Sequence, residues 1–345
     1  QQFVIRRIAD AVQMAHNNLQ PAQIGWGAGS VPQHVFVRRW IMKEPVINPF
    51  GKIDKVVFNP GRNPNILKPA STPDPEVSFI SVQSVSGTPI ALLANYSLHY
   101  VGGTPRNDIS ADYFGVFANR IGELLNATNQ QPQFVGIMSN GTSGDVNNVN
   151  VVANNSPNPP ARKQPYEQMK LVAEEVAQEV LRVHNSIEFH DWVSLQAEQQ
   201  ELPLQVRKAS ASMLQKAKEL RTRPDSVQPI HQLELTYANR IINMHKEWPD
   251  SISCVLQTFR IGNLGISAIP FEVFAETGME LKAKSPLQHT CTLELANGSY
   301  GYLPTPEQHQ LGGYETWYTT NRVEIDASRK IVAKLLSMFH TIQNE

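Results

Sequence analysis

VSFISVQSV at 77–85 and PIALLANYSLHY at 89–100, separated by Ser86-Gly87-Thr88, decide how this chain is read. Both runs are rich in β-branched and apolar residues, and the short glycine-containing gap joins them as a β-hairpin. The second run ends on His99 and leads into Gly102-Gly103. A hydrophobic strand therefore delivers an imidazole at its end. Taken alone, such a histidine is more often a structural hydrogen-bonder than a ligand.

Working outward, further β-branched runs lie at 134–138 (FVGIM), 192–206, 253–261 and 264–270, the last two joined by the turn Gly262-Asn263. Between them the apolar period changes to that of a helix. It places Ile5, Ile8, Val12, Ala15 and Leu19 on one face near the start, and Phe114, Phe117, Ile121 and Leu124 over 113–126. Residues 165–184 carry Met169, Val172, Val176 and Val180, with Pro165 in the first turn, where its missing N–H costs nothing. Two polar stretches, 208–222 and 229–247, read as a helical pair about the turn Arg223-Pro224-Asp225, and a last helix starts near Asp326. Hairpins alternating with helices predict an α/β (mixed α+β) fold, with mixed sheets flanked by helices. Internal repeats are not evident, and the Pro/Asn-rich stretch 148–165 reads as a surface excursion. We expect residues 1–345 to form one domain.

Composition narrows the function. Thirty Lys plus Arg against 31 Asp plus Glu leave a formal charge of −1, which argues against a nucleic-acid platform or a polybasic membrane patch. No apolar run reaches the roughly 18 residues of a membrane span. Cys254 and Cys291 both sit in strand-like stretches and read as two buried thiols, with a bridge between neighbouring strands as the alternative. The chain lacks an initiator Met and a secretory signal, so a processed or truncated start is expected. Gly25-Trp26-Gly27-Ala28-Gly29 is not followed by the helix of a dinucleotide fingerprint, and neither a Walker A sequence nor H-E-x-x-H occurs.

Besides His99, three places join strand ends to chemistry. SNGTSGDVNN at 139–148 follows a buried strand; its small residues permit close backbone approach, and Asp145 could orient a histidine. Its spacing is not that of a G-x-S-x-G nucleophile elbow. Pro270-Phe271-Glu272 brings a carboxylate to a strand-to-helix turn, either as a capping acid or as a metal ligand. Finally, SYGYLPTPEQHQLGGYE at 299–315 holds Tyr300, Tyr302 and Tyr314 in a stretch whose prolines and Gly312-Gly313 pair exclude a regular helix. Such tyrosines line a pocket or pack beneath it.

In this order, the LHYVGG strand end, ISADYFG, the GDV loop, the P-x-E turn and the GYxxTPE loop resemble the neutral (alkaline, non-lysosomal) ceramidase family over nearly the whole chain. The resemblance implies an α/β catalytic domain and a Zn2+-dependent hydrolase that cleaves an amide (N-acyl) bond with metal-activated water. It implies that His99, Glu272 and Tyr302 are metal ligands, and that Tyr314 faces the scissile amide. Arg38, in VFVRR, matches a family arginine near the metal.

Two departures stand out. The family's G-D-V-S-P-N is here Gly144-Asp145-Val146-Asn147-Asn148, so Asn147 replaces a serine of assigned catalytic role. An amide cannot be that nucleophile but can donate to an oxyanion, with Ser143 as a nearby hydroxyl. The family's T-H-T-H-S-G-P block, which supplies another zinc histidine, and its terminal immunoglobulin-like domain find no match within these 345 residues, so the resemblance implies that a missing N-terminal segment, removed or supplied by another chain, completes the zinc site. The resemblance further implies a lipid or small-molecule amide substrate and a secreted or periplasmic location. The alternatives are a hydrolase of a smaller amide or ester, and a non-catalytic lipid- or sugar-binding homologue.

Overall fold

The computed structural model describes residues 2–224 and 226–344. Strands and helices are numbered in chain order. The hairpin that opens the sequence reading is β6 (Glu76–Ser84) and β7 (Pro89–Tyr96), antiparallel as expected. It forms the middle of a four-stranded sheet in the order β1-β6-β7-β8, with β1 (Ala22–Ser30) antiparallel to β6 and β8 (Val135–Asn140) parallel to β7. The parallel step is made by α2 (Asp112–Leu124), which packs with α4 (Glu167–His184) on one face of the sheet.

A second four-stranded sheet repeats this plan. Its order is β10 (Leu195–Gln205), β11 (Ser251–Ile261), β12 (Leu264–Ile269) and β14 (His289–Glu294). The first two pairings are antiparallel and the last is parallel, crossed by α7 (Ala275–Lys284). Helix α9 (Ala327–Asn344) packs on β10 and β11 as α4 packs on β1 and β6. The two halves thus share strand order, strand direction and helix placement, a duplication not evident in the amino-acid sequence.

Alternation along the strands explains the layering. Leu92, Ala94 and Tyr96 of β7 point into the core beneath α2 and α4. Ile80, Leu264, Ile266, Cys291 and Leu293 meet between the two sheets, where Asn95 Nδ2 also donates to the Thr292 carbonyl (3.1 Å). The far face of the second sheet is sealed by Ile331, Leu335 and Met338 of α9. Helix, sheet, sheet and helix stack as four layers, and both cysteines are buried and unpaired. They lie on β11 and β14, which are separated by β12, so the alternative bridge between neighbouring strands does not form.

The remaining elements decorate this frame. After β1 come β2 (Phe36–Val37), β3 (Arg39–Ile47), β4 (Ile53–Phe58) and β5 (Ile66–Pro69). Strands β4, β3 and β5 form a small sheet, while β2 pairs with β9 (Val146–Asn147). Strand β13 (Glu272–Val273) pairs in parallel with β15 (Tyr302–Leu303). The surface stretch 148–165 holds a single turn of helix, α3 (Val151–Asn154). Helices α5 (Ala211–Arg221) and α6 (Glu234–Glu247) form the expected pair; Asp225 of the turn between them lies outside the described residues.

Three segments extend or correct the sequence reading. The run containing GWGAG is β1, whose glycines let α4 and the chain after it approach: a methyl on Gly27 would lie 2.9 Å from both Val183 Cγ1 and Ile187 Cγ2. Within 299–315 a six-residue helix, α8 (Pro306–Leu311), does form. Its proline stands in the first turn, Thr305 caps it and Gly312 ends it, so these breakers mark its bounds instead of preventing it. Helix α1 (Gln2–Asn17) is present, but its apolar face, with Ile5, Ile8 and Val12, is exposed. Among the described residues no helix is long and apolar enough to cross a membrane.

Candidate active site

The site forms where inner strands of both sheets end. His99 follows the end of β7 at Tyr96 by three residues, and Glu272 follows the end of β12 at Ile269 by three. The turn after His99 is fixed from α2: Asp112 accepts from the Val101 and Gly102 amides (2.9 and 2.7 Å), and Tyr113 Oη donates to the Leu98 carbonyl (2.9 Å). Glu272 lies beside Tyr302 in the β13–β15 register. Gly144 makes this packing possible, because a methyl there would strike the Glu272 carbonyl at 2.5 Å.

His99, Glu272 and Tyr302 therefore converge. His99 Nε2 lies 3.2 Å from Glu272 Oε2, and the His99 and Tyr302 rings stack with centroids 6.5 Å apart. Behind the imidazole, Nδ1 is 3.0 Å from Ser143 Oγ, which donates to Glu294 Oε1 at 2.6 Å. Ser143 Oγ thus bridges the imidazole and the Glu294 carboxyl, and on the other side of the ring Nε2 is aimed at the Glu272 carboxylate.

Electrostatics sharpen the picture. Burial opposes ionisation of Glu272, but the His99 and Tyr302 hydrogen bonds and the Arg38 charge hold its carboxyl below its ordinary value. Burial, with Glu272 adding to it, pushes the Tyr302 hydroxyl well up against the opposing effect of Arg38. Glu294 is fully enclosed, and burial drives its carboxyl up to about 8 although Ser143 and the Val273 amide donate to it.

The other expected residues are placed as follows. Arg38 joins the group: its Cζ lies 4.9 Å from the Tyr302 ring centroid, its Nε donates to Glu315 Oε1 (2.8 Å), and its buried Nη2 lacks a protein partner. Tyr314 stands edge-on to Tyr302 with centroids 5.9 Å apart. Ser143 joins through His99. Asp145 is not brought to the group: its oxygens accept from Ser71 Oγ (2.6 Å) and from the Ala275 amide (2.9 Å) at the start of α7. Asn147 is held aside too, donating to Asn59 Oδ1 (2.8 Å) and accepting from the Val149 amide (2.9 Å). Asp145, expected to orient a histidine, and Asn147, expected to donate to an oxyanion, are thus engaged in holding the loop.

Two contributors escaped the sequence reading. Glu294 sits at the end of β14 in the ordinary run HTCTLE, and only the partner sheet's Ser143 and Asn140 reveal its position. Glu315 is fully buried between two arginines, with Arg39 Nη1 donating to its Oε2 at 2.6 Å. The Glu-to-Tyr314 adjacency gave no signal for this pairing.

Whether zinc suits these residues can be judged from the donor set. Among the described residues no three His, Cys, Asp or Glu side chains form a metal-holding cluster. With the Tyr302 phenol counted as a third donor, the 3.2 Å between His99 Nε2 and Glu272 Oε2 is close to the edge of a tetrahedron with metal bonds of about 2.0–2.1 Å. The Ser143–Glu294 pair behind Nδ1 is the kind of outer support that fixes a ligating imidazole. The spacing of His99 and Glu272 suits the ion.

Comparison with known proteins agrees with the layered fold. No family model and no curated protein matches the chain. Among solved structures it is similar to a ceramidase complexed with C2, with a TM-score of 0.64 and 14% identity over 96% of this chain and 55% of that one. It is likewise similar to the neutral ceramidase of Pseudomonas aeruginosa, with a TM-score of 0.58 and 15% identity over 97% of this chain and 55% of that one. The chain thus spans 55% of the length of each. At such identities the likeness speaks for architecture, and the fold of this chain is that of the neutral ceramidases.

Proposed function

We propose that this chain is a zinc-dependent hydrolase of an amide (N-acyl) bond, with residues 1–345 acting as one catalytic domain. The observation that carries the reading is the convergence of an imidazole, a carboxylate and a phenol from three distant strand ends. His99, Glu272 and Tyr302 would hold the ion. When bound, zinc supplies Lewis acidity toward a carbonyl and lowers the pKa of water toward about 7.

The protein's own groups divide the remaining tasks. Ser143 and Glu294 hold the His99 ring with Nε2 toward Glu272. Arg38, packed against the Tyr302 ring, supplies positive charge to Glu272 and Tyr302 from behind. Glu315 holds that guanidinium in place from below. Tyr314 borders the cavity in front of Glu272 and Tyr302, where its hydroxyl can meet the amide. The resemblance to neutral ceramidases supports a lipid or smaller N-acyl substrate and a secreted or periplasmic location.

The test is hydrolysis of short N-acyl amides by the purified chain after chelation, and again after zinc is returned. The reading expects loss and then recovery of turnover. Absence of zinc binding and of turnover with zinc present would overturn it.

A further inference from the structure

The cavity bordered by Glu272, Tyr302 and Tyr314 has a volume of about 350 Å³, and its lining also includes two arginines, Arg240 of α6 and Arg322. Neither forms an ion pair with any acidic side chain among the described residues. Both are nonetheless held. The Arg322 guanidinium lies 4.9 Å from the Trp248 ring centroid while its Nε donates to the Thr319 carbonyl (3.2 Å), and that of Arg240 lies 5.0 Å from the Tyr237 ring centroid. Burial, and then the neighbouring Arg240 charge, lower the Arg322 pKa against the opposing attraction of Glu272, so the two cations stand near each other at one cavity. Glu247 also borders the cavity but pairs with neither.

Guanidinium groups held against aromatic faces without an acidic ion-pair partner match a carboxylate in both charge and shape. A neutral headgroup would leave both unpaired, and a cavity of this volume suits a compact molecule better than one with two long chains. We propose that the substrate is an N-acyl amino acid: an amide whose amine half bears a carboxylate, received by Arg322 and Arg240 while the amide faces Glu272 and Tyr302. This rests on the hydrolase reading for the chemistry, but the anion-binding wall can be tested apart from it.

The experiment compares N-hexanoylglycine with its neutral analogue N-hexanoylethanolamine, by calorimetry for binding and by amine release for turnover. The proposal expects the carboxylate compound to bind about tenfold tighter or more, and the advantage to shrink with added salt. Arg322→Gln should bring it down to the level of the neutral compound. Arg240→Gln, at an exposed position where folding is not at stake, should remove part of the preference. Equal binding of the two compounds, or a preference that survives both substitutions, overturns the proposal. Carboxylate-selective binding without turnover would uphold this wall and sink the hydrolase reading. Turnover of both compounds alike would do the reverse.

Discussion

The two sheet-and-helix halves share one plan and differ where their inner strands end. In the first half the position three residues past the second hairpin strand is His99; in the second it is Glu272. The last residue of the parallel strand is Asn140 in β8 and Glu294 in β14, and the two are bonded to each other, Asn140 Nδ2 donating to Glu294 Oε1 at 2.6 Å. A base and an amide on one side thus face two acids on the other. Equivalent places in a duplicated frame have taken complementary chemistry, and neither half alone offers more than one of the two protein groups that meet at 3.2 Å.

The largest expected effect comes from breaking either contribution. His99→Ala and Glu272→Ala should each abolish zinc binding and amide hydrolysis while leaving the far-ultraviolet circular dichroism unchanged. A variant that keeps turnover would mean that one half suffices. Next comes the buried Arg38–Glu315–Arg39 cluster beneath the site. Glu315→Gln leaves two enclosed guanidinium groups without their counter-charge and should destabilise the fold by about 3–5 kcal/mol in urea unfolding.

Glu294 sharpens the comparison through pH. Its carboxyl is pushed from 4.5 up to about 8 by burial, so the folded chain binds a proton there that the unfolded chain has released. Between those values stability should fall as pH rises, with a contribution from this group of at most about 1.4 kcal/mol per pH unit. Glu294→Gln should flatten that part of the slope; an unchanged slope would assign it elsewhere.

The smallest effect separates the two outer strands. Gly27→Ala in β1 drives a methyl against Val183 and Ile187 and should cost about 1–3 kcal/mol. Ala197→Val in β10, at an exposed position of the equivalent strand, should stay within about 0.5 kcal/mol. Similar costs would show that the outer strands are packed alike.

What the sequence disclosed follows from the range of the signals. Hairpin glycines, strand alternation and helical period are local, so β6, β7, β11, β12 and the main helices were legible. His99 and Glu272 stood out because each follows an apolar strand at a turn. The small β4-β3-β5 sheet was not legible, since its strands mix charged and apolar residues without clean alternation. Nor were Glu294 and Glu315, whose meaning comes from partners more than 150 residues away. Asp145 and Asn147 show the converse: a Gly-rich loop drew attention to side chains whose bonds go to Ser71, Ala275, Asn59 and Val149.

Anomalous diffraction at the zinc absorption edge, on crystals grown with zinc, tests the central claim most directly. The account predicts a peak bounded by His99, Glu272 and Tyr302. Density for the ion at another place, or an empty gap between Nε2 and Oε2 at saturating zinc, would contradict it.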